Sequence, residues 1–115
     1  MRIESLGRMA HFYIPASRWC NPTLKYKGKT INVLVREFLI ENYNGFTIRG
    51  PFIGVWRNSN FEDSIEEAVI EVKVSFKGKE RIPKLQKFLV KLCKLMKEKC
   101  LYLETGEDSW LVHPD

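Results

Sequence analysis

Hydrophobic and polar positions alternate most clearly over residues 67–76. Every second position there is apolar, and the set consists of Ala68, Ile70, Val72, Val74 and Phe76. Because successive side chains of a strand point to opposite faces, this pattern predicts a strand with one buried face and one mostly polar face. Such a strand is typical of an antiparallel sheet that is covered on one side. A shorter alternation over residues 9–14, ended by Pro15, predicts the first strand.

Two segments repeat their apolar residues with the period of a helix. In the first, the repeat consists of Ile31, Leu34, Val35, Phe38 and Leu39. This spacing predicts a helix from about Thr30, whose hydroxyl can cap it, to Asn42, with Asn44-Gly45 as the stop. Pro83 is expected to open a second helix, because proline is favoured in the first helical position. Its predicted apolar face consists of Leu85, Phe88, Leu89, Leu92, Cys93 and Met96.

The remaining elements are shorter. Residues 46–49 predict a strand that breaks at Gly50-Pro51 and continues over residues 52–56, with a bulge expected at Gly54. Residues 16–29 read as a loop, and two strands near residues 100–104 and 109–113 predict a closing hairpin around Gly106. The predicted fold is therefore α+β: a ferredoxin-like split βαβ arrangement (βαββαβ plus a terminal strand), with an antiparallel sheet and two helices on one face.

Length and composition predict one domain over residues 1–115. A chain of 115 residues with 44% hydrophobic residues can bury a single core. Three cysteines without a C-x-x-C pair predict reduced thiols and neither a disulfide framework nor a zinc site. The first residues contain no apolar run of signal-peptide length, so a cytoplasmic protein without a cofactor is expected. A surface rich in Lys and Glu is also typical of thermophiles.

Charge is distributed unevenly along the chain. Residues 77–99 hold nine of the 19 Lys and Arg residues and only two acidic ones, so they carry +7 of a chain whose net charge is +5. On the second helix, Lys84, Lys87, Lys91 and Lys94 fall within about 80° of one another and form a ridge. Clustered lysines bind polyanions by releasing counterions, so these four residues and Arg81 are candidate nucleic-acid-binding residues. A solvated outer helix face is the alternative.

Three further residues are candidates for a partner interface: Tyr13, Trp56 and Arg57. Trp56 follows Gly54-Val55, and an indole at the rim of an interface combines apolar area with one donor. Tyr13 lies on the predicted open face, where RNA-recognition domains stack bases. The long strand has no aromatic residue on that face, which argues against a standard RNA-recognition domain. A homodimer through a sheet edge or the open face is left as a further partner prediction.

Acidic residues suggest one enzymatic alternative. Glu62, Asp63, Glu66 and Glu67 precede the long strand, and paired carboxylates can hold Mg²⁺ for phosphodiester cleavage. Ferredoxin-like nucleases place an aspartate at the end of the first strand, where this sequence reads Ile14-Pro15-Ala16. His11 and His113 lack a clear third ligand, so neither a metal site nor a catalytic residue is predicted.

One stretch carries a family resemblance. Residues 38–48 (FLIENYNGFTI), followed by Gly54-Val55-Trp56 and Glu66-Glu67, resemble a group of short prokaryotic and mobile-element proteins. The resemblance implies a ferredoxin-like fold and brings no activity. The predicted function is a small non-enzymatic protein that binds nucleic acid or another polyanion. The alternatives are a protein-interaction module, such as an inhibitor or accessory factor of a mobile element that uses Trp56 and the acidic loop, and a metal-dependent nuclease.

Overall fold

The computed structural model describes residues 1–43, 45–57, 64–106 and 109–114. Its strands are β1 (Arg8–Pro15), β2 (Lys25–Tyr26), β3 (Lys29–Thr30), β4 (Gly45–Arg57), β5 (Ser64–Phe76), β6 (Leu101–Thr105) and β7 (Ser109–Val112). Its helices are α1 (Ala16–Trp19), α2 (Ile31–Asn42) and α3 (Arg81–Met96). Within these described ranges, the search for a helix long and apolar enough to cross a membrane found none.

Five strands form one antiparallel sheet in the order β4-β5-β1-β6-β7. β2 and β3 pair separately as a small hairpin. The first strand thus lies in the middle of the sheet, between β5 and β6. It pairs antiparallel with both of them. The predicted mixed α+β class with an antiparallel sheet is confirmed.

The alternation in β5 separates the two faces of the sheet. Val72, Val74 and Phe76 are almost fully buried on the face that α2 and α3 cover. The opposite face is not uniformly wet, because Glu71 is also buried. The core cluster joins this sheet face to the helices through Phe12, Ile14, Ile31, Val35, Leu39, Val72, Val74, Phe76, Leu85, Leu89, Leu92, Met96 and Leu103.

Both long helices begin close to where their sequence patterns predict. Thr30 caps α2, and its hydroxyl oxygen accepts from the Val33 N–H at 3.5 Å. α3 begins at Arg81, two residues before Pro83, after a turn in which the Arg81 N–H donates to Gly78 O. Proline is tolerated at this early position, since N–H groups in the first turn of a helix have no intrahelical acceptor.

Three short elements lie in the region predicted as a loop over residues 16–29. α1 follows β1 directly and buries Trp19, while β2 and β3 form a hairpin against α2 and α3. Strands of two residues show no hydrophobic period, so the sequence pattern could not reveal them.

The break in β4 occurs at Gly50-Pro51, as predicted: the register with β5 shifts between Arg49 and Phe52. The bulge expected at Gly54 is not present, because Gly54 pairs in continuous register with Glu67. Gly54 is instead covered by the indole of Trp56, and a Cβ at position 54 would lie 2.5 Å from Trp56 Cζ3. Position 54 therefore holds a residue without a side chain for a packing reason.

The outer halves of β4 and β5 extend past the neighbouring strand. β1 pairs with β5 only as far as Val69, opposite Pro15, so residues 52–57 and 64–68 continue as a two-stranded arm. We call this segment the β4–β5 arm. It exposes apolar side chains: Phe52, Ile53, Val55, Trp56 and Ile65.

Candidate functional site

Polar side chains from neighbouring strands meet on the sheet face opposite the helices. Tyr13 of β1 and Arg49 of β4 are both cross-strand partners of Glu71 of β5. Two residues away along β1, His11 lies between Lys73 of β5 and Glu104 of β6. The register thus places rows of polar residues across the middle of the sheet face that the helices leave uncovered, which we call the open face.

Glu71 is the one buried polar or charged residue among those the structure describes, at 6% exposure. Its Oε1 accepts from Arg49 Nη2 at 2.6 Å and from Arg49 Nε at 3.0 Å. Its Oε2 accepts from the Tyr13 hydroxyl at 3.2 Å and lies 3.8 Å from His11 Nδ1. Both oxygens are therefore partnered, as a buried carboxylate requires.

These partners set the ionisation of Glu71 and Tyr13. Burial by itself would raise the pKa of Glu71, but hydrogen bonds from Arg49 and Tyr13 and the nearby positive charge lower that pKa below its ordinary value. Burial, followed by the negative charge of Glu71, raises the pKa of Tyr13 to about 12. At neutral pH, Glu71 is consequently an anion and Tyr13 keeps its proton.

A second group of side chains extends this arrangement onto β6 and β7. The rings of Tyr13 and Tyr102 contact each other with centroids 5.7 Å apart and planes inclined by 50°. The Tyr102 hydroxyl lies 3.1 Å from Glu104 Oε2 and 3.1 Å from Ser109 Oγ. Tyr102 is exposed, so the aromatic pair offers ring surface to solvent.

Six residues form what we call the Glu71 cluster: His11, Tyr13, Arg49, Glu71, Tyr102 and Glu104. Carboxylates and aromatic rings attract a cation, and Arg49 can bind a carboxylate through the donors that Glu71 leaves unused. The cluster therefore suits a small ligand that carries both positive and negative charge beside an apolar or aromatic part.

The predicted nucleic-acid-binding residues lie elsewhere. Lys84, Lys87, Lys91 and Lys94 line a groove between α2 and α3, on the covered side of the sheet. Arg81 is engaged in holding the helices together: its guanidinium donates to Asn42 O and lies 5.8 Å from the centroid of the Tyr43 ring. The structure does not bring these five residues to the Glu71 cluster.

The predicted interface residues separate into two places. Tyr13 is in the Glu71 cluster, whereas Trp56 and Arg57 lie at the end of the β4–β5 arm. Trp56 is 45% exposed, so it is not a core residue.

The acidic residues do not assemble into a metal site within the described part of the chain. Among these residues, no group of three or more His, Cys, Asp or Glu side chains could hold an ion. Glu66 is exposed, and burial together with the charge of Glu98 raises the pKa of Glu67. Glu62 and Asp63 lie outside the described residues, as does Asn44, the predicted helix stop.

Sequence reasoning missed Arg49, Glu71, Tyr102 and Glu104. The donor and acceptor of the Tyr13–Glu71 hydrogen bond are 58 positions apart, and those of the Arg49–Glu71 bond are 22 apart. No local motif can record such contacts. One signal was available: Glu71 is an ionisable residue in the centre of the most regular strand pattern, beside apolar neighbours on both sides.

The fold is that of an α+β protein with a five-stranded antiparallel sheet, and two solved structures have a similar fold. The first is a phage SAM lyase in complex with S-methyl-5'-thioadenosine, with a TM-score of 0.62 and 16% sequence identity over 98% of this chain and 94% of that chain. The second is a phage SAM lyase in the apo state, with a TM-score of 0.61 and 15% identity over 98% of this chain and 94% of that chain. No family model and no curated protein sequence matches this chain.

These neighbours contradict the predicted function. Both are enzymes, so the prediction of a non-enzymatic binding protein is wrong, and the expectation that the chain is not an enzyme is corrected with it. Nucleic-acid binding, a protein-interaction role and metal-dependent nuclease activity receive no support from them. The prediction relied on charge that is contiguous in sequence, whereas the residues of the Glu71 cluster come together only through the register of four strands.

Proposed function

We propose that the protein is a lyase that cleaves S-adenosylmethionine. The observation that carries the proposal is the Glu71 cluster on the open face of a fold whose solved neighbours are SAM lyases over nearly the whole chain. One of those neighbours holds S-methyl-5'-thioadenosine, the part of S-adenosylmethionine that keeps the sulfur. The bond to be broken is therefore the one between the sulfonium sulfur and Cγ of the aminobutyrate group.

The charges of the cluster match those of this substrate. S-adenosylmethionine carries a sulfonium cation, an α-ammonium group and an α-carboxylate. Glu71 and Glu104 supply negative charge, and the rings of Tyr13 and Tyr102 can face a cation. Arg49 can also bind the α-carboxylate of the substrate. Two of its N–H groups donate to Glu71, and its side chain is 56% exposed, so its remaining N–H groups can reach a ligand.

The ionisation of the cluster favours one course of the reaction. When the Cγ–S bond breaks, its electron pair goes to sulfur and the sulfonium becomes a neutral thioether. In the same step, either an oxygen of the substrate's own carboxylate forms the new bond to Cγ, giving a lactone, or a base takes a proton from Cβ, giving an alkene. Glu71 is a weak base because its pKa is lowered. It is suited to holding positive charge, and ring closure, which needs no base, is the course we propose.

The proposal is tested by incubating the purified protein with S-adenosylmethionine and measuring S-methyl-5'-thioadenosine by liquid chromatography and mass spectrometry. We expect turnover by the wild type and a loss of roughly 10²- to 10³-fold in kcat for Glu71→Gln, because a preorganised charge at the reacting centre is removed. Tyr13→Phe should also lose activity. Lys77→Ala, at an exposed position beyond β5, is the matched control and should keep it.

The absence of thioadenosine formation by a folded wild-type protein would contradict the proposal. So would equal rates for the wild type, Glu71→Gln and Tyr13→Phe. The lactone and the alkene are isomers of equal mass, so proton NMR of the four-carbon product distinguishes them: only the alkene shows vinyl protons. The course of the reaction is thereby tested independently of the activity itself.

We also propose that the topology is the ferredoxin-like split βαβ arrangement with an added strand. The sheet order β4-β5-β1-β6 supports this, with α2 between β1 and β4, α3 between β5 and β6, and β7 added at the edge. Superposition on a set of ferredoxin-like domains tests it: the four strands should align in this order with the same direction.

The homodimer remains a proposal, and we infer that the β4–β5 arm is its contact surface. β4 is an edge strand of the sheet, so its outer backbone groups can pair with another strand. Antiparallel pairing of two β4 strands would be symmetric, as a homodimer requires. Apolar side chains on both faces of the arm support burial by a second copy.

A further inference from the structure

A groove of about 800 Å³ lies between α2 and α3, on the opposite side of the sheet from the Glu71 cluster. Its floor is apolar and consists of Leu34, Phe38, Phe88, Leu92 and Leu95. The rings of Phe38 and Phe88 stack face to face with centroids 3.8 Å apart. The proposed lyase reaction makes no use of this groove.

The α3 rim of the groove is strongly basic. Lys84, Lys87, Lys91 and Lys94 follow one another along it, and all four are exposed. Within the described part of the chain, Lys84, Lys87 and Lys94 have no ion-pair partner, and Lys91 Nζ lies 5.6 Å from the centroid of the Tyr26 ring. The rim therefore keeps its positive charge available to a ligand.

The opposite rim does not cancel this charge. It carries Glu37 and Glu41, but Glu37 is already paired with Lys29, whose Nζ lies 2.6 Å from Glu37 Oε2. The lining as a whole includes more lysines than glutamates, so the field over the apolar floor is positive. A ligand that fits must be apolar on one side and negatively charged on the other.

The shape of the groove favours a helix over a small molecule. The lining residues of α3 run from Lys84 to Leu95, which corresponds to about 16 Å of helix, or three turns. An amphipathic helix can bury its apolar face in a groove between two other helices. We propose that this groove binds an amphipathic, acidic helix of a protein partner, with apolar residues on Phe38 and Phe88 and carboxylates facing the lysine rim.

The test uses a synthetic helical peptide of about 16 residues, with Leu at i, i+3, i+4 and i+7 and Glu beside the Leu face. Its counterpart has Lys in place of every Glu. Binding of the labelled peptides to the full chain is measured by fluorescence anisotropy, and the contact surface is mapped by NMR chemical-shift changes. We expect the acidic peptide to bind along α2 and α3, and the basic one to bind at least about tenfold more weakly.

Two double variants of equal charge make the test specific. Lys87→Glu with Lys91→Glu should weaken binding of the acidic peptide about tenfold or more, because it reverses the rim. Lys77→Glu with Lys99→Glu changes the net charge by the same amount at exposed positions outside the groove and should bind like the wild type. Salt should also weaken binding, since the rim charges are exposed.

Equal binding of the acidic and basic peptides would overturn the proposal, as would an unchanged affinity for the rim double variant. Tighter binding of duplex DNA or of phosphatidylserine vesicles through the same lysines would overturn it in favour of another occupant. Lyase activity is measured in parallel on each double variant. Loss of peptide binding with activity retained shows that the two surfaces are independent.

Discussion

Glu71 shows how neighbours on two strands keep a carboxylate charged inside a protein. A lone carboxylate at 6% exposure would take up a proton, because burial penalises its charged form. Arg49 and Tyr13 reverse this by donating hydrogen bonds to both oxygens. Because Arg49 and Tyr13 both donate to Glu71, a substitution at any one of the three residues changes the hydrogen bonding of the other two.

This balance predicts that Glu71 makes the protein sensitive to acid. Its folded pKa lies below the unfolded value of about 4.3 to 4.5, so the unfolded state binds more protons there. The contribution to stability is complete above that unfolded value and is lost as the pH falls through the lowered folded pKa. In urea unfolding at a series of pH values, the free energy of unfolding of Glu71→Gln should therefore fall less steeply below about pH 4.5 than that of the wild type.

Glu66→Gln is the control for this measurement, because Glu66 is an exposed neighbour on the same strand. It should follow the wild-type curve. Parallel curves for Glu71→Gln and the wild type would show that Glu71 has the same pKa in the folded and unfolded states.

At the scale of elements, α3 joins the core to the charged surface. Leu85, Leu89, Leu92 and Met96 are almost fully buried on one side, while the lysines of the groove rim are exposed on another. Its end is fixed by Lys97, which adopts a left-handed φ of 56° and directs the chain into β6. Core packing and surface charge are therefore carried by different residues of the same helix.

This division predicts very different costs for neighbouring substitutions in α3. Leu89→Ala should lower the free energy of unfolding by about 2 to 5 kcal/mol, since it leaves a cavity under a fully buried side chain. Lys84→Ala should change it by less than about 0.5 kcal/mol. Chemical denaturation of both variants measures the difference, and similar values for the two would contradict the assignment of the faces.

The same elements show what sequence patterns can predict. α2, α3 and β5 repeat their apolar residues over many positions, so burial on one face leaves a clear period. α1, β2 and β3 span four, two and two residues and leave none. The Glu71 cluster was out of reach for a related reason: register across four strands brings its residues together, and a single sequence does not record register.

The whole molecule separates its two proposed binding surfaces by the thickness of the sheet and its helical layer. The Glu71 cluster lies on the open face, and the groove lies between the helices that cover the other face. The molecule measures 53 Å in its longest dimension, against 34 and 27 Å in the others. A partner on the groove can therefore bind without obstructing the open face.

The arm predicts a change of oligomeric state on substitution. If the exposed apolar side chains bind a second copy, Ile53→Ser with Trp56→Ser should shift the protein to a monomer in light scattering coupled to size-exclusion chromatography, because it removes apolar area that drives association. Ile40→Ser with Val33→Ser, at exposed apolar positions of α2, is the control and should keep the wild-type mass. A monomeric wild type at high concentration would contradict the proposed dimer.

The alternation along β5 limits how this protein can change its length in evolution. Glu71 and Val72 are adjacent in the chain, yet one belongs to the open-face cluster and the other to the core. Deleting a single residue upstream in the paired part of the strand would exchange the two faces, burying carboxylate and lysine under the helices and exposing valines beside the cluster. Insertions and deletions in the part of β5 that pairs with β1 should therefore be tolerated only in steps of two residues.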